Sequence, residues 1–159
     1  MIMKLVSYND PILTKELTPV DFPFEGAWDL VVGMIEIMRE NNGLGLAANQ
    51  VGIDHRMFVM EGKEPIACFN PKVIDFSTET VKLEEGCLSY PGLIVKIERP
   101  KIIKVRYQDA DGQIHTEKFD GITARTFQHE LDHVNGIRFY DRAGRVHRDI
   151  ALRRWRNKL

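Results

Sequence analysis

The stretch TARTFQHELDHVNG, Thr123 to Gly136, limits what this chain can fold into more than any other. His129 and His133 stand four apart, and on a helix that spacing brings both imidazoles to one face, where they can hold one ion. Ile122, Thr126 and Phe127 give the same helix an apolar side, which sets it near a core. The expected helix runs from Ile122 to Val134 and stops at Asn135-Gly136. Glu130 falls beside the ion rather than on it. A divalent cation acidifies water from a pKa of about 16 to about 7, and a carboxylate in reach can take that proton and return it to a leaving group. The bland alternative is a surface helix with two unconnected histidines. Asp132 reads as a support for a ligand or a neighbour. His55, His115 and His147 lack comparable spacing and read as surface or loop residues.

A metal that does chemistry needs a third protein ligand. Downstream stands His147, and no acid in a suitable context. Upstream, EEGCLSYPG from Glu84 to Gly92 sets Cys87 after a glycine and before a strand start. A thiolate there completes a Cys-His-His set and leaves a fourth position open. Cys68, the other cysteine, reads as a small buried hydrophobe. Two distant cysteines make no disulfide framework, and with no leader segment visible a reducing cytoplasm is expected.

NNGLGLAANQVG, Asn41 to Gly52, is the third informative stretch. Gly43 and Gly45 flank Leu44 and let backbone come close to a ligand. Gln50 is a neutral donor able to stabilise a developing oxyanion. The alternative is a closely packed helix-to-strand turn.

The remaining pattern is α+β. A short turn is expected at Tyr8–Leu13 with Asp10 as cap, and a helix over Ala27–Asn42. Strands are expected at Arg56–Met60, Ile66–Phe69, Lys72–Phe76, Thr80–Glu84, Leu93–Glu98, Lys101–Gln108 and Gln113–Phe119, the last two joined by an Asp109–Gly112 turn. A last helix covers Val146–Asn157. Strands then helices without βαβ alternation argue one α+β domain over residues 1–159. The net charge of −1 gives no global pull toward nucleic acid or membrane, and no segment has the length of a span. Residues 142–159 differ: seven Arg or Lys against Asp149 alone, net +6. This tail is either a solvated helix face or a docking element for something anionic.

Taken in order, Gly43-Leu44-Gly45-Leu46-Ala47-Ala48-Asn49-Gln50, Glu85-Gly86-Cys87-Leu88-Ser89 and His129-Glu130-Leu131-Asp132-His133 resemble the signatures of the peptide deformylase family. The resemblance extends from Asp10-Pro11 through Asn70-Pro71 to Phe139-Tyr140-Asp141. It implies antiparallel β-sheets packed around a central metal-binding helix, with an N-terminal helix and a short basic C-terminal helix. It implies removal of the formyl group from the N-terminal formylmethionine of new polypeptides, with release of formate. Cys87, His129 and His133 would hold one divalent ion, natively Fe(II), with Zn, Ni or Co able to substitute. Glu130 would be base and then acid, and the Gln50 amide and the Leu88 N–H would bind the oxyanion. Backbone at Gly43, Leu44, Gly45, Glu85 and Gly86 would meet the substrate, which pairs as an added strand.

Ile122, Arg125 and Thr126 precede His129 by seven, four and three residues and so share its face. With Leu44 and Leu83 they are expected to form the methionine slot, the Arg125 charge reaching an acid such as Glu85. Two departures stand out. Tyr90-Pro91-Gly92-Leu93-Ile94 lacks the basic residue that many members carry there, as in the organelle-type branch. The C-terminal extension is also short for the helix that docks some bacterial members on ribosomal RNA. The expected molecule is a monomer in the cytoplasm of a bacterium, or of a phage-infected host. The rivals are hydrolysis of another N-acyl substrate, and a ribosome-binding protein with a vestigial site.

Overall fold

The computed structural model describes residues 3–159. Helix α1 (Ala27–Glu40) is followed by strands β1 (Gly45–Ala47), β2 (Met57–Met60), β3 (Ile66–Phe76), β4 (Thr80–Glu85), β5 (Val95–Pro100), β6 (Ile102–Gln108) and β7 (Ile114–Asp120), then by helices α2 (Gly121–Val134) and α3 (Arg145–Arg156). Every strand pair is antiparallel. One sheet has the order β1-β2-β3-β6-β7, and β4 pairs with β5 in a second. Short 3₁₀ turns occupy Pro11–Thr14, Ala48–Val51 and Phe139–Arg142.

Helix α2 packs against β1, β2 and β7 of the large sheet and β5 of the small one. Its two faces explain this. Ala124, Phe127, Leu131 and Val134 recur with helical period and face the large sheet, where Phe127 meets Phe58 edge-on at 5.1 Å. The opposite face carries Arg125, His129 and His133, all buried despite being polar. Asp120 opens the helix by accepting from the Gly121 N–H. Gly136 lies just past its end with φ +72, and a Cβ there would sit 2.6 Å from the Thr14 carbonyl oxygen. Only glycine satisfies both demands.

A second core joins the small sheet to the C-terminal segment: Leu93, Val95 and Ile97 meet Tyr90, Phe139, Tyr140, Leu152 and Trp155. Residues 142–159 are therefore a docked helix rather than a loose tail. Arg145, Arg153, Arg154, Arg156 and Lys158 remain exposed.

Three expectations need correction. The segments on either side of Asn70-Pro71 form one eleven-residue strand, β3, with a register shift between Phe69 and Lys72. Asn70 tolerates φ +49 because its side chain accepts from the Val20 N–H and donates to the Val20 carbonyl, both at 2.8 Å. Strand β1 is not among the expected strands, since three residues, the first of them Gly45, carry no alternation. The segment expected to begin a strand at Leu93 starts at Val95, because Tyr90–Leu93 is a turn closed by Leu93 N–H to Tyr90 O at 3.1 Å.

Candidate active site and metal centre

The cleft between the edge strand β1 and the end of β4 has a volume of about 530 Å³. Gly43, Leu44, Gly45, Gln50, Glu85, Gly86, Cys87, Leu88, Ile122, Arg125, Thr126, His129 and Glu130 all line it. His133 does not; it lies behind Cys87, with the Cys87 Sγ and His133 Nε2 3.1 Å apart. Leu83 is also missing from the lining and is exposed on β4, so the slot is built without it.

One donor atom each from Cys87, His129 and His133 falls within 4.8 Å of the other two. Ligand bonds of about 2.0–2.3 Å around one tetrahedral ion require such a spacing. The surroundings prepare the same set. Glu85 Oε1 accepts from His129 Nδ1 at 2.8 Å, which turns Nε2 toward the ion site. Burial pushes the His133 pKa well down, helped by the neighbouring His129; burial acts the same way on His129, but hydrogen bonds to Cys87 and Glu85 outweigh it and hold its pKa well up, so a cation would take the place of that ring's proton. The residues present therefore fit a divalent cation.

Glu130 is buried, and its Oε1 has no partner among the described residues. Burial raises its pKa to about 7, partly offset by His129. A carboxyl group poised near neutrality is suited to move a proton both ways. Gly45 is indispensable beside it, since a Cβ there would lie 2.6 Å from Glu130 Oε2.

Gln50 sits on the 3₁₀ turn after β1. Its Oε1 accepts from Ala47 N–H at 2.9 Å, which fixes the amide and aims Nε2 at Ser89 Oγ (3.0 Å) and Cys87 Sγ (3.6 Å). The Leu88 N–H donates to no protein acceptor among the described residues. Arg125 lays its stem along the cleft and donates to Glu85 Oε2, to Ile97 O and to Val81 O.

Arg99 was not recognised from sequence, although it organises the floor. It donates from Nε and Nη2 to Glu85 at 2.6 and 3.0 Å, and from Nη1 to Asp132 Oδ2 at 2.9 Å. Burial would raise the Glu85 pKa, but hydrogen bonds from His129 and Arg99 outweigh it and hold the carboxyl at about 2. The available signal was strand alternation: Val95, Ile97 and Arg99 share the inward face of β5. An arginine on an inward face demands acids.

A helix carrying His-Glu-x-x-His, a cysteine thiol brought to it past a strand end, and a cleft beside sheet edges together suit a metallohydrolase. Comparison with known proteins specifies which. The family described as Polypeptide deformylase matches residues 2–149. A Peptide deformylase of Thermotoga neapolitana is 47% identical over 136 residues, covering 85% of this chain and 83% of the relative. One from Rhizobium meliloti is 38% identical over 160 residues, 97% of this chain and 92% of the relative. The crystal structure of the Thermotoga maritima peptide deformylase superposes with a TM-score of 0.87 at 43% identity, over 91% of this chain and 99% of that one. The chain belongs to the polypeptide deformylase family, enzymes that remove the N-formyl group from nascent peptides.

Proposed function

We propose that this chain acts as a single-domain, monomeric, metal-dependent hydrolase on the N-terminal formylmethionine of new polypeptides in the cytoplasm. The observation that carries the reading is the Cys87–His129–His133 donor set beside the buried, unpartnered Glu130 carboxyl group on the cleft floor. Fe(II) is the native ion in this reading, with Zn, Ni or Co able to substitute. The ion supplies Lewis acidity, acidifying water and polarising the formyl carbonyl. Glu130 takes the proton of the attacking water and delivers it to the amine as the C–N bond breaks, so that formate and a free amino terminus leave. Gln50 Nε2 and the Leu88 N–H donate to the oxygen that gains charge. The backbone at the start of β1, Leu44 and Gly45, and at the end of β4, Glu85 and Gly86, holds the peptide extended by backbone pairing. Ile122, Thr126, Leu44 and the Arg125 stem shape the slot for the unbranched thioether.

The decisive assay is formate release from formyl-Met-Ala-Ser by protein purified anaerobically and loaded with Fe(II) or Ni(II). Release that stops with a chelator and returns with the metal is the expected result. No release from fully loaded protein sinks the reading in favour of another acyl substrate.

The exposed cations of α3 favour an anionic partner, and ribosomal RNA is the one proposed. Leu152 and Trp155 anchor α3 in the second core, so its removal would disturb the fold as well as the surface. Reversing Arg153, Arg154 and Arg156 to Glu keeps the anchor. Co-sedimentation with ribosomes is expected to be lost in this variant and to weaken with salt in the parent. Equal sedimentation of parent and variant removes the docking idea.

A further inference from the structure

Two consecutive turns carry the chain from the metal group to β5. The first spans Cys87–Tyr90 and closes with Tyr90 N–H to Cys87 O at 3.0 Å; it holds Cys87 and the Leu88 N–H. The second spans Tyr90–Leu93, with Pro91 in its second place and Gly92 at φ +83 in its third, the signature of a type II turn. The central peptide group of a β-turn takes no part in the turn's own hydrogen bond. Its plane is the soft element, since types I and II differ chiefly by flipping it.

Here something outside the turn holds that plane. Trp155 Nε1, on α3, donates to the Pro91 carbonyl at 2.7 Å. The indole is buried and seated edge-on against Tyr8 and Tyr90, with ring centroids at 5.2 and 6.1 Å. In a trans peptide the N–H lies opposite the carbonyl. With Pro91 O turned to α3, the Gly92 N–H points away from it and donates to no protein acceptor among the described residues. Pro91 and Gly92 both line the cleft, beyond the floor formed by Glu130 and His129.

We propose that Trp155 is a positioning residue for substrate binding: from the C-terminal helix it locks the Pro91–Gly92 peptide plane and so fixes the cleft wall, with the Gly92 N–H as a donor for a backbone carbonyl of the peptide beyond methionine. The proposal rests on the deformylase reading for the identity of that peptide. It assigns α3 a role in the cleft that is separate from its exposed charge. Among the described residues the hydrogen bond and ring contacts of Trp155 go to Pro91, Tyr8 and Tyr90 and to none of Cys87, His129, His133 or Glu130, so its effect falls on binding of the distal chain and leaves the chemical step alone.

The test is Trp155→Phe, which keeps an aromatic ring against Tyr8 and Tyr90 and removes the donor together with a small part of the packed volume. The KM for formyl-Met-Ala-Ser is expected to rise about three- to tenfold, the range of one net hydrogen bond. The kcat should stay within about twofold, and the KM for formyl-Met alone should not move. Hydrogen exchange at the Leu93 amide, whose bond to the Tyr90 carbonyl closes the turn, should quicken while the α2 amides keep their protection. An unchanged ratio of the two KM values, or unchanged exchange at Leu93, overturns the proposal and leaves Trp155 as core packing. If the parent hydrolyses neither substrate, the deformylase reading fails separately, and the exchange result still decides whether Trp155 locks the turn.

Discussion

Glu130→Gln is expected to bind metal as the parent does and to lose about a thousandfold in kcat, the middle of the range for a missing general acid–base group. The side chains are nearly isosteric, and Glu130 lies outside the donor set of Cys87, His129 and His133. What disappears is the ability to accept a proton. The carboxyl group is held near a pKa of about 7, chiefly by burial. Its Oε1 lacks a protein partner among the described residues. Such an arrangement costs stability and is retained where chemistry needs it. The variant should therefore melt no lower than the parent, because a neutral amide replaces a group that burial disfavours as an ion. Metal analysis, steady-state kinetics and thermal melting on the same preparation separate the cases. A near-parental kcat removes Glu130 as the base; metal loss means that Glu130 supports the ion instead.

Much of this site is legible in the sequence because its logic is local. The spacing of His129 and His133 needs only one turn of helix. The Asp109–Gly112 hairpin turn and the Asn135-Gly136 stop are likewise local chemistry, and the structure places each as expected, with Gly112 at φ +84. The failures are non-local. Strand β1 exists because β2 pairs with it, Gly45 opposite Met60, and nothing within its three residues announces this. Strand β3 continues through Asn70-Pro71 because Val20, fifty residues away, and Gln108 of β6 supply the partners for the Asn70 side chain. Seven cations against one acid in residues 142–159 mark a charged surface, whereas Leu152 and Trp155 tie that segment to the second core and the cleft wall. The spacing of Arg125 from His129 sets it on the metal's helix face with an acid such as Glu85 in reach, whereas Arg99 joins them from the inward face of β5, far along the chain.

Arg99→Met is expected to destabilise the fold by about 3 kcal/mol, the lower end for breaking a buried ion pair. In a domain of this size that lowers Tm by on the order of 10 °C. Arg99 and its partners Glu85 and Asp132 are all buried, with side chains 5–6% exposed, so water cannot take over the lost bonds. Each acid keeps other partners: Glu85 has Arg125 and His129, and Asp132 has Arg142 at 2.7 Å. This is why the lower end applies. Arg142→Met is the internal control. Its side chain is 48% exposed, so solvent screens its bond to Asp132 and the loss should stay within about 1 kcal/mol. The difference also reaches the metal. Glu85 orients His129 through Nδ1, and a carboxylate released from Arg99 holds that ring less firmly. Loosening the group that holds a metal-binding imidazole typically weakens metal affinity by about 10- to 100-fold. Arg99→Met should then need more Fe(II) or Ni(II) to reach full occupancy, at a temperature where it is still folded, while Arg142→Met should not. Equal melting temperatures for the two variants contradict a central role for Arg99. Equal metal affinity alongside a large Tm difference confines Arg99 to the fold and separates the core network from the chemistry above it.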